Sequence, residues 1–333
     1  MFKKHNKSIV AFTLLLLAII AIIFIFLKED KKDLATKSIK NDNEISNLSK
    51  EDIELGAGYG LQLKKSNSEE DSQLNGQISM ETPQDKLEIE FNNRGSTGQY
   101  ILKVFYDYEE IKFKAGDEEE YNPSYTFQLE SLKSINIPLN LTKDIKKDNK
   151  SHKITVGVYA SPEKNAKTIK AMTNTFGVTI DYELVFNEGE GKISLIQKPS
   201  NPMKIMDVQF QGIMINNDFK SDNQAMFPPY SLKVKKGEKV KLAYRAGGYQ
   251  DVEDYLILSM LDWNQINMDE KPYLLLKNEP TKLGYGTFHI IAPNKPGLYE
   301  FTSFIIPDPT KNKNENNFFM AETAYRFTIE VEE

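Results

Sequence analysis

Three histidines, His5, His152 and His289, are all the imidazole this chain of 333 residues offers, and it contains no cysteine. Thiolate nucleophiles, thiolate metal sites and disulfides are therefore closed to it. Neither HExxH nor GxSxG occurs, so the zinc-peptidase helix and the serine-hydrolase elbow are both missing. A histidine zinc site would have to unite His152 and His289 from opposite halves of the chain; the simpler expectation is two strand-end histidines with no ligand role. No metal and no cofactor is expected. Carboxylate chemistry remains, since a glycosidase needs only two acids roughly 5 to 9.5 Å apart. The candidates are the DEEE run at 117–120 and Asp251, Glu253 and Asp254, which read as solvated loops. The same acids could hold calcium, but no DxDxDG loop is present. No catalytic residue is assigned, and a wall-polysaccharide hydrolase using paired acids is kept as an alternative.

Side chains able to grip a partner are clearer. Trp263 is the only tryptophan, with Tyr249, Tyr255 and Tyr273 near it in sequence. Its parity with Tyr255, Ile257 and Leu261 points to a core position, with an exposed anchor as the alternative. The polar stretch 307–317 (PDPTKNKNENN) falls between the last two strand patterns, where sandwiches place recognition loops. The candidate partner-binding residues are Trp263, Tyr249, Tyr273, Asp308, Lys311 and Asn314. The glycine-rich LGAGYG at 55–60 lacks both a preceding strand and a following Gly-Lys-Ser/Thr, so it reads as flexible linker, not as a phosphate loop.

The segments that must position these residues begin with nineteen residues, 9–27 (IVAFTLLLLAIIAIIFIFL), of which only Thr13 carries a polar atom. As a helix they would span roughly 28 Å, close to the roughly 30 Å hydrocarbon core of a bilayer. The run is longer than a cleavable signal's apolar region, and Lys28, Glu29 and Asp30 follow it with no small-residue cleavage site. An uncleaved signal anchor over 8–27 is expected, with 1–7 as cytoplasmic tail and the bulk outside; with lysines tied on the two flanks, the short tail decides. The closing VEE carries no LPxTG-like signal, which leaves this run as the expected retention device. Residues 28–75 are polar and are expected to form a flexible stalk.

Period-two alternation governs the remainder. Leu87, Ile89 and Phe91 interleave with Glu88 and Glu90; Ile154, Val156, Val158 and Ala160 follow; then Val178, Ile180, Tyr182, Leu184 and Phe186 interleave with Thr179, Asp181 and Glu183. Each reads as a strand with one face apolar and the other in water. The prolines of KPSNP mark a boundary, giving a first sandwich over 76–198, a linker over 199–202 and a second sandwich over 203–333. Forty-two basic against 48 acidic residues leave a net charge of −6, which makes nucleic acid a poor partner.

YSLKVKKGEKVKLAY (230–244) and NKPGLYEFTSFII (294–306) resemble strands of the immunoglobulin-like and fibronectin type III-like modules that occur in tandem on bacterial surface proteins. The resemblance implies ligand-binding or spacer modules of sandwich fold and transfers no catalytic residues. With the strand pattern and the apolar run it gives an expected all-β chain of two tandem Ig-like sandwiches behind one transmembrane helix. The anchor and tandem strands without a catalytic constellation lead to an expected binding or scaffold role at the cell membrane, toward an extracytoplasmic protein or cell-wall ligand, free-standing or as an accessory subunit of a membrane complex. A passive surface spacer is the further alternative.

Overall fold

The alternating stretches form strands throughout this computed structural model, which describes residues 58–66, 76–82, 85–142, 150–167, 176–186, 199–207, 210–217, 231–314 and 321–333. The apolar run at 9–27, most of the expected stalk and residues 187–198 lie outside them, whereas the boundary prolines Pro199 and Pro202 lie within. The first half is built from β1 (Tyr59–Lys65), β2 (Gln77–Met80), β3 (Leu87–Asn93), β4 (Gly98–Tyr106), β5 (Glu109–Glu110), β6 (Phe113–Ala115), β7 (Tyr125–Leu129), β8 (Lys133–Leu141), β9 (Ser151–Ala160) and β10 (Gly177–Phe186). One sheet runs β1-β3-β8-β6; the other runs β2-β10-β9-β4-β5, with β7 also on β4.

The second half repeats the plan with β11 (Lys204–Met206), β12 (Gly212–Asn216), β13 (Ser231–Lys235), β14 (Lys239–Gly247), β15 (Asp254–Leu261), β16 (Asn264–Gln265), β17 (Leu274–Lys277), β18 (Leu283–Ile291), β19 (Gly297–Pro307), β20 (Glu322–Thr323) and β21 (Phe327–Glu332). Its sheets are β11-β18-β14-β12 and β13-β21-β19-β15-β16, with β17 on β15 and β20 on β19. In both halves an early strand crosses to run parallel with the last one, β2 with β10 and β13 with β21, while the other strand pairs are antiparallel. The described residues are all-β, and in each half two sheets make a β-sandwich. The connection between them is tied down: Ser200 bridges to Leu276 and β11 adds an edge to β18.

Each sandwich closes over its own core. Leu87, Ile89 and Phe91 of β3 are fully buried while Glu88 and Glu90 face outward, as the alternation predicts. Tyr100 stacks on Phe127 at 5.6 Å and meets Phe91 at 5.1 Å between the first two sheets. Val240, Leu242, Tyr244, Tyr255, Ile257, Phe288, Phe301 and Phe327 fill the second core.

Two expectations fail. Residues 59–65, assigned to the stalk with LGAGYG as linker, form β1: this strand pairs along its whole length with β3 and buries Leu63 completely. Tyr59, whose ring sits 5.6 Å from Phe91, Leu61 and Leu63 make the inward row, three residues that are too short a pattern to stand out in a polar stretch. The second failure concerns the faces expected to be wet. All ten residues of β9 are buried, as are Asp181 and Glu183 of β10 and most of β15 and β19. The cause is a third cluster: Ile101, Phe105, Tyr108 and Tyr159 from the first half meet Leu256, Leu258, Met260, Tyr273, Phe304 and Ile306 from the second. The sheet containing β4, β9 and β10 is thus packed face to face on the sheet containing β15, β19 and β21, making four layers.

Leu63→Ala should cost about 2–5 kcal/mol, the range for emptying a buried leucine site, in urea unfolding; no change in midpoint would return residues 59–65 to the stalk. Alkali is the second probe, because burial raises the phenols of Tyr244 and Tyr255 from 10.0 to about 12. A raised folded value stabilises below the unfolded value and is lost above it, so stability should fall as pH climbs from 10 through 12, read as the unfolding midpoint against pH.

Candidate functional site

Two tight hairpins start the interface between the sandwiches. Asp107 and Tyr108 join β4 to β5 with φ of 49° and 68°; Asp262 and Trp263 join β15 to β16 with φ of 50° and 65°. Both are two-residue turns with left-handed central positions, a geometry that matches strand twist and suits aspartate. For a bulky aromatic at the second position it costs on the order of 1–3 kcal/mol, and in both turns that aromatic is the residue that crosses to the other sandwich. Tyr108 is fully buried, donates its hydroxyl to the Pro309 carbonyl at 2.7 Å and meets Tyr273 edge-on. Trp263 donates its indole N–H to the Pro162 carbonyl at 3.3 Å, packs on Tyr159 at 5.4 Å and carries the Arg326 guanidinium 5.0 Å above its ring.

The acceptors lie in matching loops. Ser161-Pro162-Glu163-Lys164-Asn165 leaves β9, and Asp308-Pro309-Thr310-Lys311-Asn312 leaves β19. Ser161 and Asp308 both have positive φ, at 50° and 47°. Their N–H groups bond the carbonyls of Gln99 and Asp254 at 2.8 and 2.9 Å, equivalent residues at the starts of β4 and β15. Between the loops and hairpins, Glu110 and Gln265 exchange bonds: Glu110 N–H donates to Gln265 Oε1 at 2.6 Å and Gln265 N–H to Glu110 Oε2 at 3.2 Å. Since these two are the same position of the repeated plan, the pairing is isologous, about a local two-fold between halves of one chain.

Charges fill the remaining corners of this low-dielectric layer. On the first sandwich, Lys153 lies 3.3 Å from Glu183 and donates to the Lys311 carbonyl at 2.7 Å, while Glu183 accepts the Lys313 N–H at 2.6 Å. Lys313 Nζ stands 3.1 Å from Asp181 Oδ2, both side chains fully buried, in an ion pair whose angles do not make a hydrogen bond. Thr155 donates to the other Asp181 oxygen at 2.7 Å. On the second sandwich Glu300 takes Arg326 Nε at 3.2 Å, the Ala166 N–H at 3.1 Å, Asn165 Nδ2 at 3.1 Å and the Thr328 hydroxyl. Arg326 donates in turn to the carbonyls of Ala160, Ser161 and Lys164 at 3.0, 2.9 and 2.7 Å. Lys103, also buried, pairs with Glu110 and bonds the Pro123 carbonyl at 2.6 Å.

Burial depresses the affinity of Lys153 for its proton, helped by the neighbouring Lys313 and opposed by Asp181 and Glu183. Burial does the same to Lys103 against Glu110 and to Arg326 against Glu300. Tyr108 moves upward, first through burial and then through Asp181. These groups are arranged to be read by backbone, and they hold two bodies together. They do not face solvent: Asp181 and Glu183 converge on one strand but are sealed at 0 and 1% exposure, out of reach of a polymer. The acidic runs are apart, 117–120 after β6 of the first sandwich and Asp251, Glu253 and Asp254 before or at the start of β15 of the second. His152 bonds Asp107 at 2.7 Å and His289 bonds Asp269 at 2.9 Å, so each has its own carboxylate. Among the described residues no group of three His, Asp or Glu side chains could hold a metal ion.

The candidate partner residues scatter accordingly. Trp263, Tyr273 and Asp308 meet in the interface. Trp263 does not follow Tyr255, Ile257 and Leu261 into the second core, because the left-handed turn swings it off the strand's parity. Tyr249 is in that core, 5.9 Å from Tyr255. Lys311 is half exposed and pairs with Asp308 at 2.9 Å; Asn314 is exposed. Part of the loop expected to face a partner is spent on the chain's own first half. Lys153, Asp181, Glu183, Glu300 and Arg326 received no role from the sequence reading. A signal existed in the twice-occurring Pro-x-Lys-Asn, each behind a long strand, and in the paired Asp-aromatic turns.

No family model matches the chain, and no curated protein does. Among solved structures it is similar to the C-terminal domain of the antigen I/II polypeptide BspA of Streptococcus agalactiae, at 10% identity over 82% of this chain and 100% of that one, with a TM-score of 0.22. The C-terminal domain of the antigen I/II-family protein AspA of Streptococcus pyogenes gives 11% identity over 82% and 99%, at 0.23. A CARDB domain from Pyrococcus furiosus gives 16% over 38% and 97%, also at 0.23. These likenesses stop at the β-sandwich; at such scores they bear on no function.

Glu300→Ala should remove the carboxylate from under four donors and leave Arg326 buried without its counter-ion, a loss of about 3–5 kcal/mol. Urea unfolding measures it, and emission from Trp263, the sole tryptophan, should change with it; an unchanged midpoint would deny Glu300 its role in the interface.

Proposed function

We propose that the chain is a membrane-anchored extracytoplasmic binding or scaffold protein, held by residues 9–27 and displaying two β-sandwiches to a protein or cell-wall partner. The observation that carries this reading is the face-to-face junction: reciprocal aromatics, loops and buried ion pairs turn two modules into one stiff body. Stiffness suits display, because an ordered surface binds without first losing conformational freedom. The surfaces left for a partner are the outer sheets, β1-β3-β8-β6 and β11-β18-β14-β12, and the turns at their ends. Ile291 and Leu298, 61 and 43% exposed, flank the NKPG turn of the second sandwich, and Leu132, 54% exposed, lies in the turn between β7 and β8. Such apolar points ringed by charge are where a protein partner would seat.

Absence of native cysteine makes the test direct. Lys295→Cys, in the exposed NKPG turn, should react on intact cells with a membrane-impermeant maleimide and stay with the membrane fraction. A photo-crosslinking residue at Leu298 should give one discrete larger product. Labelling only after lysis would overturn the orientation; a lone monomer after irradiation from Leu132, Ile291 and Leu298 alike would overturn partner binding.

A further inference from the structure

We propose that Asp181 and Lys313 are specificity determinants that make each sandwich face accept the other sandwich and refuse a copy of itself, so that two copies of this chain can associate through these faces only by joining unlike halves. Superposing the repeated strand registers places Asp181, one step beyond the Tyr182↔Ile154 pair, where Arg326 stands beside Phe327↔Phe301. The matching loops place Lys313 where Ala166 stands, each offering its backbone N–H to a carboxylate across the junction. The two positions that face one another thus hold carboxylate and ammonium on one side of the local two-fold, guanidinium and a methyl group on the other.

Charge decides between the possible pairings. In the observed arrangement the first face and second loop bury Lys153 and Lys313 against Asp181 and Glu183, and the second face and first loop bury Arg326 against Glu300. Both sets are neutral. If the first face met a second copy of the first sandwich, Ala166 would replace Lys313, and the buried carboxylates of Asp181 and Glu183 would share the one ammonium of Lys153. If the second face met its own copy, Lys313 would be driven against Arg326 with Glu300 alone to balance them, since Asp308 is held by Lys311. An uncompensated buried charge is strongly unfavourable, whereas matched pairs are tolerated. Tyr108 and Trp263, each bonding the opposite proline carbonyl, do not tell the halves apart. Glu110 opposite Gln265 favours the same unlike pairing, since two first sandwiches would bring two Glu110 carboxylates together, and full burial of both partners makes Asp181 and Lys313 the stronger determinants.

Charge exchange in the full chain, in detergent, tests this. Asp181→Lys and Lys313→Asp should each open the junction, read as a red shift of Trp263 emission and faster proteolysis between the halves, with each variant monomeric alone by sedimentation. The double variant D181K/K313D should close again and remain monomeric. Mixing the two single variants should yield a one-to-one heterodimer with native emission, because wild-type faces then meet in trans on one side and the exchanged pair meets on the other. The proposal is overturned if either single variant keeps native emission or self-associates, if the double variant is no better closed than the singles, or if the mixture stays monomeric.

Discussion

Burying a sheet on both faces is the constraint on which this structure depends. A strand in an ordinary sandwich turns one row of side chains inward and leaves the other to water. Here β9, β10, β15 and β19 lose that option, so every lysine, aspartate, glutamate and arginine on their outward rows has to find its counter-charge and its hydrogen bonds inside the junction. The loops after β9 and β19 meet that demand. Their carbonyls take Lys153 and Arg326, and their N–H groups supply Glu183 and Glu300. What joins the sandwiches is apolar burial in the middle and backbone-read charge at the corners.

Local symmetry explains how one short loop design serves twice. A two-fold relation lets the same turn, with its positive φ at Ser161 or Asp308, lean on the opposite sandwich in both directions. In the hairpins and loops of the junction the departures from symmetry lie in side chains. Gly157 corresponds to Phe304, and a Cβ at Gly157 would lie 2.6 Å from the Tyr159 hydroxyl; the missing side chain on one half makes room for the ring that meets Trp263. Lys153 and Glu300 are likewise equivalent positions of opposite charge. Shared backbone with exchanged side chains is how a junction can be reciprocal in shape and directional in chemistry.

The union of the two sandwiches has consequences for how the chain meets other molecules. Loops at the junction end are committed to the chain itself, leaving outer sheets and opposite turns for other molecules. A hinge between modules, the default for tandem domains with small polar interfaces, is replaced by four stacked layers and a docked connection at Ser200 and β11.

Alternation in β3 and β10 and the stretches 230–244 and 294–306 were legible as sandwich strands because a two-residue period and turn chemistry are local properties. The shortage of histidine, the want of cysteine and the apolar stretch at 9–27 likewise followed from composition alone. Whether the second row of β9 or β10 meets water is not a local property. Lys153, Asp181 and Glu183 look solvated in any window of sequence, and only the docking of the other sheet makes them buried and paired. Trp263 shows the same limit, for its parity held along the strand until Asp262 entered the left-handed region and turned it across the junction. Residues 59–65 were missed for the opposite reason, since Tyr59, Leu61 and Leu63 in a polar run acquire meaning only beside β3. The amino-acid sequence by itself determined that strands would form and which chemistries were closed; the tertiary structure decided which polar faces were interior, because burial is a property of the neighbour and not of the strand.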